Sequence, residues 1–408
     1  MKRAAAVLMA AILLWTCQAM GEGTKLTETE WYRQALKDSE MRLGNNARLK
    51  KVIERARSGE EITVAVIGGS ITEGAGAGNY QECWASRFWN RFKAEYGAEG
   101  TSNVSLVNAG VSGTPSTFGY MRYGRDVLAR VPEKDADGLP DLVIVEFAVN
   151  DWMEPTGYRC YESMVKDILD APNGAAVILL FTVSRQGYGS QDDLRKIGDR
   201  YDLMMVSVKD GIFSHLGKEL AAEDFFFDDY HPSSLGHRIM MDFLMQAIAD
   251  AAGKETDPEA DADVKPVYGT DFVGLKTLYG DTEQAGFTVE RGGFCSVDKT
   301  TYRNGTVGWV CGENFAHGAS DPMEPLKISG TFRKCLVAWK ADKDPAYGAA
   351  EVLVDGEVKK TLKGAPDKWG QSEAVLVLDD DSPAEHTVEV RVKDEGKKFT
   401  VTAVGLVE

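Results

Sequence analysis

The 408-residue chain reads as a three-layer α/β/α domain followed by an all-β sandwich. Three observations carry that reading. From about residue 62, short apolar runs alternate with helical stretches, the pattern of a parallel sheet covered by helices on both faces. Residues 253–265, within "GKETDPEADADVKP", are acidic and nearly free of apolar side chains, as a linker is. Beyond them the hydrophobic period changes to two, the period of half-buried strands. A chain of this length also exceeds what one ordinary core supports.

Residues 1–21 read as a signal peptide. Lys2 and Arg3 precede an apolar run from Ala4 to Trp15, and Ala19-Met20-Gly21 forms a small-x-small cleavage site. A secreted or cell-surface protein is expected. Leu14-Trp15-Thr16-Cys17 is a poor lipobox, because bulky Trp15 and Thr16 replace the usual small residues, so lipid anchoring at Cys17 is the less favoured route. Loss of this segment, with two positive charges and no acid, takes the formal charge from −17 to −19. Such an acidic surface disfavours nucleic acid and anionic membrane as partners, and no other apolar stretch approaches the ~20 residues of a membrane span. Five cysteines remain (Cys83, Cys160, Cys295, Cys311 and Cys335), an odd number without C-x-x-C spacing. At least one is therefore free or pairs between chains, and a structural zinc site is not expected.

The first domain is assigned to residues 22–252, with its core over about 60–252. Strands are predicted over Ile62–Ile67, Val104–Ala109, Leu142–Val149 and Ala176–Val183, and helices over Trp84–Tyr96, Phe118–Val131 and Tyr158–Leu169. A last amphipathic helix is predicted over Ser233–Ala252, with Ile239, Phe243, Met245 and Ile248 on its buried stripe. The second domain, residues 266–408, contains "AEVLVDGEVKKTLKG", in which Asp355-Gly356 between alternating runs signals a hairpin. "EAVLVLDDD", "EHTVEVRVKD" and "KFTVTAVGLVE" supply further strands of a jelly-roll-like β-sandwich. Trp309, Trp339, Trp369 and Tyr347 are its candidates for a sugar-stacking platform; the competing and favoured reading is a structural or active-site-shaping role, with Trp339 in the core and Trp369 packed on the first domain.

The stretch "VAVIGGSITEGAG", residues 64–76, places a serine where a buried strand stops. Ligands of open α/β sheets bind outside the carboxyl ends of strands. A phosphate loop is disfavoured: the G-K-[ST] ending is missing and no lysine occurs between Lys51 and Lys93. Gly74, Gly76 and Gly78 do not form the dinucleotide fingerprint either. What remains is a structural turn or a nucleophile, and a nucleophile needs a base and oxyanion donors. Of the five histidines, His317 and His386 lie in the β domain and His215 within a helical pattern. His237 lies inside the last helix, where a surface or capping role is expected. His231 stands instead on the loop "FFFDDYHPSSLGH", with Asp228 three residues earlier to hold its Nδ1. "NAGVSGTPS" offers the backbone N–H of Gly113, and "FAVNDW" the side-chain amide of Asn150, each just past a predicted strand.

This constellation resembles the SGNH, or GDSL-like, hydrolase family over about residues 60–250. "GGSIT" looks like its first block, "VSGTPS" its second, "VND" its third, and "DDYH" has its D-x-x-H spacing. The resemblance implies a flavodoxin-like α/β domain, Ser70 as nucleophile, and Asp228 and His231 as orienting acid and base. The oxyanion hole it implies comprises Ser70, Gly113 and Asn150. Ala148 stands where the third block usually has glycine, and the first block reads Gly-Gly-Ser where Gly-Asp-Ser is usual. The G-x-S-x-G elbow of ordinary α/β-hydrolases is absent, since Thr72 occupies its last position. The implied activity is that of a secreted serine esterase acting on a small-molecule or polysaccharide ester, with O-acetylated carbohydrate as the expected substrate and no metal or organic cofactor required. A lipid esterase or thioesterase, an acyltransferase to sugar, and a non-catalytic glycan-binding protein remain as alternatives.

Overall fold

In the computed structural model, which describes residues 26–135, 137–260, 263–281, 286–300, 303–304, 308–309, 312–365 and 372–408, the first domain is built on a six-stranded sheet. Its strands are β1 (Glu40–Arg42), β2 (Ile62–Gly68), β3 (Val104–Gly110), β4 (Leu142–Glu146), β5 (Ala176–Phe181) and β6 (Met204–Ser207), in the order β1-β6-β5-β4-β2-β3. β2 to β6 are parallel and β1 is an antiparallel edge. The chain runs outward from β2 to β3 and then crosses back to β4. The carboxyl ends of β2 and β4 therefore flank the switch point, where open α/β sheets place their ligands.

Helices cover both faces, as the alternating pattern predicts. They are α1 (Glu30–Ser39), α2 (Ala47–Ser58), α3 (Trp84–Tyr96), α4 (Ser116–Met121), α5 (Arg159–Asp170), α6 (Gln191–Arg200) and α7 (Ser234–Gly253). Side chains of β2 alternate between two cores because successive strand residues point to opposite faces. Val64 and Val66 pack with Phe88 of α3 and Phe243 of α7, whereas Ala65 and Ile67 pack with Phe118 of α4 and Val165 of α5. Ile239, Phe243, Met245 and Ile248 are buried as expected, but α7 also buries Met240, Met241 and Leu244, so it is covered round most of its circumference.

Two predicted boundaries differ. The strand expected to reach Val149 stops at Glu146, because Phe147 turns the chain: its carbonyl accepts from the N–H of both Asn150 and Asp151. The helix expected over Phe118–Val131 breaks into α4, a turn at Tyr123–Asp126 and a 3-10 turn at Leu128–Arg130. Arg122 sits at that break, wholly buried, and donates to the carbonyls of Ala109 and Gly68 and to Asp126. The elements β1, β6, α1, α2 and α6 were not anticipated.

The second domain is one eight-stranded antiparallel sheet that folds over itself. It contains β7 (Lys276–Leu278) and β8 (Phe287–Glu290), then a separate two-stranded ribbon of β9 (Arg303–Asn304) and β10 (Gly308–Trp309). β11 (Phe315–His317), β12 (Leu326–Lys340), β13 (Ala349–Val354), β14 (Glu357–Lys363), β15 (Ser372–Val392) and β16 (Phe399–Val407) follow. β12 and β15 pair along their lengths and share a register shift at Phe332–Lys334. Before the shift β12 also pairs with β8, and after it with β16, so the long pair serves two layers. Ile328, Phe332, Val337, Val352, Val390 and Val404 fill the space between. Asp355 and Gly356 have φ of 52° and 81°, the left-handed pair that a two-residue type I′ hairpin requires.

The predicted linker is tied down at its start, and so is the chain just beyond it. Asn46 donates to the carbonyls of Ala251 and Glu255 and accepts from the N–H of Asp257, and buried Glu162 of α5 accepts from the N–H groups of Val267, Tyr268 and Gly269. Beyond it, Leu336 and Ala338 of β12 and Ala403 of β16 join Phe118, Tyr120 and Met121 of α4 in one apolar cluster. Tyr279 donates to the Met121 carbonyl, Tyr120 to that of Phe272, and Arg159 pairs with Asp271 and Asp379. The two domains thus share a core. Leu336→Ala should destabilise the chain by about 2–4 kcal/mol and lower a single calorimetric transition; two separate transitions, only one of them moved, would refute the shared core.

Candidate active site

At the end of β2 there is no room for side chains. A β-carbon on Gly68 would lie 2.3 Å from Thr72 Oγ1 and 2.4 Å from the Glu146 carbonyl oxygen, and one on Gly69 would lie 2.0 Å from Asn150 Oδ1. The missing side chains let the chain turn at once into a single helical turn, Ser70–Glu73, which Gly74 closes with φ of +113° and an N–H bonded to the Ser70 carbonyl. Ser70 is its first residue and is 8% exposed.

His231 approaches from the loop before α7. That loop is pinned by the Phe227 N–H on the His231 carbonyl, by the Ser233 N–H on the Phe225 carbonyl, and by the Ser233 hydroxyl, which caps α7 by accepting from Gly236. Gly76 (φ +90°) lets the opposite loop come close, since a β-carbon there would lie 2.1 Å from the Pro232 carbonyl oxygen. Asp228 Oδ1 accepts from the N–H groups of Tyr230 and His231, and Asp228 Oδ2 stands 2.8 Å from His231 Nδ1. His231 Nε2 lies 2.9 Å from Ser70 Oγ. Facing a carboxylate, Nδ1 carries the ring proton, which leaves Nε2 to accept from the serine hydroxyl. Burial raises the Asp228 carboxyl, but hydrogen bonds from His231 and the two N–H groups outweigh it and hold the group below the usual range.

The structure places the other two predicted residues on flanking loops. Asn150 follows β4 and its side-chain oxygen lies against Gly69. Gly113 follows β3 with φ of +70°, in a loop tied to the serine turn because Glu73 accepts from both the N–H and the hydroxyl of Ser112. Asp151, beside Asn150, is buried and accepts from the Ser116 N–H at the start of α4, so it joins the Asn150 loop to the Gly113 loop. Burial and the neighbouring Glu154 raise its carboxyl well above the usual range.

Three supporting residues were not identified from sequence. Glu146, fully buried at the end of β4, accepts from Thr72 and Thr182 hydroxyls and from the N–H groups of Gly69 and Thr72, and burial pushes its carboxyl up to about 7. A lone acid closing the apolar run "LVIVE" is the signal that could have found it. Asp151 is the second. His237 is the third, and it corrects the surface or capping role expected for it: the ring is fully buried, Nδ1 accepts from the Trp84 N–H, and Nε2 donates to the Ala75 carbonyl. It therefore braces the loop that follows Ser70 against α3. The described cysteines Cys83, Cys160, Cys295 and Cys335 are free, and Cys311 lies outside the described residues. Among the described residues, no cluster of His, Cys, Asp and Glu is disposed to hold a metal ion, and no helix is long and apolar enough to cross a membrane.

Residues 66–239 match the GDSL-like lipase/acylhydrolase family. That match lies wholly within the α/β domain and spans Ser70, Gly113, Asn150, Asp228 and His231. The chain also resembles a solved two-domain esterase, CEX, active on acetylated mannans, with 22% identity and a TM-score of 0.77 over 91% of this chain and 98% of that one. The same esterase co-crystallised with mannopentaose gives 23% identity and a TM-score of 0.76, with the same coverage. At that identity the likeness is one of fold, and it extends through the β domain. No curated protein matches the chain.

Burial of His237 has a consequence for pH. Desolvation lowers its pKa from 6.5 to about 4, so the unfolded chain binds the proton more readily than the native one. Stability contributed by the neutral ring is complete above pH 6.5 and is lost as pH falls towards 4, by about 3 kcal/mol. Urea unfolding of the protein and of His237→Gln at pH 7 and pH 4.5 should show a smaller pH difference in the variant; equal differences would show that His237 is not a source of acid lability.

Proposed function

We propose that this chain is a secreted serine esterase that removes O-acetyl groups from carbohydrate. The observation that carries the chemistry is the chain of contacts from Asp228 Oδ2 to His231 Nδ1, 2.8 Å, and from His231 Nε2 to Ser70 Oγ, 2.9 Å. Ser70 Oγ attacks the acetyl carbonyl carbon while its proton passes to His231 Nε2. Asp228 holds the imidazole in the tautomer that can take the proton and steadies the imidazolium that forms. The N–H groups of Ser70 and Gly113 and the Asn150 amide stabilise the oxyanion. His231 then gives its proton to the departing sugar oxygen, leaving acetyl-Ser70. Water, deprotonated by His231, attacks that ester and releases acetate.

The likeness in fold to a two-domain esterase active on acetylated mannans, running through both domains, supports carbohydrate as the substrate class. Export rests on the sequence of residues 1–21, which lie outside the described residues.

Ser70→Ala and His231→Ala should each lower kcat on p-nitrophenyl acetate by about 10⁴- to 10⁶-fold with the fold retained; a variant keeping a tenth of the rate would remove that residue from its assigned role. The oxyanion hole is tested through Gly69. Asn150→Ala should lower kcat roughly 10²- to 10³-fold with little change in KM. Gly69→Ala, whose β-carbon must displace the Asn150 side chain, should approach the same loss. In the double variant the two losses should not multiply, because both act through one group. Full additivity would mean that Gly69→Ala harms the site by another route.

A further inference from the structure

Of the four aromatic candidates in the β domain, the two whose side chains are described do not face solvent. Trp339 is in the core with its indole N–H on the Lys363 carbonyl, Tyr347 is buried against Asp298 and Lys340, and Trp369 and the Trp309 side chain lie outside the described residues. Among the described residues the exposed rings are elsewhere. Among the described residues four aromatic side chains are more than a third exposed: Trp152 at 62%, Tyr188 at 43%, Phe227 at 70% and Tyr230 at 56%. All four stand on loops that leave the carboxyl edge of the first sheet, and three of them are near the reacting groups in sequence. Trp152 is two residues past Asn150, while Phe227 and Tyr230 bracket Asp228 and adjoin His231.

Backbone bonds join these loops side by side. The Ser190 N–H donates to the Ala148 carbonyl, and the Arg185 N–H donates to that of Asp229. The Tyr188 loop is thereby held between the loop of Trp152 and the loop of Phe227 and Tyr230. Phe227 also lines an open groove of about 450 Å³ with Gly76, Ala77, Gly78, Ser233 and Ser234, next to His231. Large rings are ordinarily buried, and a group of them left in water around a catalytic edge marks a ligand surface.

We propose that Trp152, Tyr188, Phe227 and Tyr230 form a platform on which pyranose rings flanking the acetylated sugar stack, so that the α/β domain itself grips a glycan chain. This rests on the carbohydrate esterase reading above and names the residues that would recognise the chain. The chemistry of the surface favours a glycan over a fatty acyl chain. The rings are spread over three loops and mixed with hydroxyl and charged groups of Ser233, Ser234, Arg185 and Asp229, which suits a sugar with apolar faces and polar edges. An acyl chain would instead want a continuous apolar enclosure.

The test compares the protein with Trp152→Ala, Tyr188→Ala and their double variant, each checked for an unchanged circular dichroism spectrum. The substrates are O-acetylated mannopentaose, O-acetylated xylopentaose and p-nitrophenyl acetate. The ratio of KM for the preferred pentasaccharide to KM for the aryl acetate should rise about tenfold in each single variant and further in the double, since an exposed stacking aromatic contributes chiefly to binding. In Ser70→Ala, titration with the same pentasaccharide should change tryptophan fluorescence, and addition of Trp152→Ala should remove that change. A ratio unmoved in every variant overturns the platform while leaving the esterase reading intact. A wild-type protein that cleaves the aryl acetate but neither pentasaccharide overturns the carbohydrate reading, and the platform with it.

Discussion

The absence of any space for a β-carbon at Gly68 and Gly69 governs the site. β2 and β4 are adjacent parallel strands, so their carboxyl ends come out side by side and the residues that follow must share the same small volume. Gly68 fits against Thr72 and the Glu146 carbonyl, and Gly69 fits against the Asn150 side chain. Only with both side chains missing can the chain turn from strand into the Ser70 helical turn while Asn150 lies alongside. The aspartate usual at the position of Gly69 is absent here, and the close approach of Asn150 is a physical reason why glycine serves.

Beneath that turn the protein buries polar groups that would be costly if left unpaired. Glu146 is supported by two threonine hydroxyls and two backbone N–H groups, and the buried Arg122 guanidinium satisfies the carbonyls of Gly68 and Ala109 as well as Asp126. Asp151 takes the first N–H of α4. Glu146 and Arg122 each contact backbone atoms or side chains of two different segments, and Asp151 links its own loop to the start of α4. They tie the Ser70, Gly113 and Asn150 segments into one unit, and that preorganisation lets donors act without rearrangement as charge develops.

The β domain extends the same unit. Its β12 and β16 cover α4, the helix that begins three residues after Gly113, and Tyr279 bonds to the carbonyl at that helix's last residue. The start of the linker-like stretch is fastened by Asn46, which bonds to Glu255 and Asp257, and the residues just beyond it, 267–269, are fastened by Glu162. The second domain is therefore part of what holds the first in shape, although its own interior is a separate apolar layer.

Much of this was legible from local pattern. Continuous apolar runs located β2, β3, β4 and β5, the Asp355-Gly356 pair located a hairpin, and glycines at a strand end drew attention to Ser70. Those signals depend on neighbours in the chain, through side-chain alternation and backbone dihedral preference, so the amino-acid order alone determines them. The four-residue β6, the break at Arg122 and the burial of His237 were not legible. Each depends on a partner far along the chain: Leu179 for β6, the Gly68 carbonyl for Arg122, the Ala75 carbonyl for His237. Exposure of Trp152 beside burial of Trp339 was decided in the same way, by which surfaces the packed domains left uncovered. Sequence pattern specifies what a segment prefers, but whether a polar or aromatic side chain meets water or a distant backbone atom is settled only when the layers close.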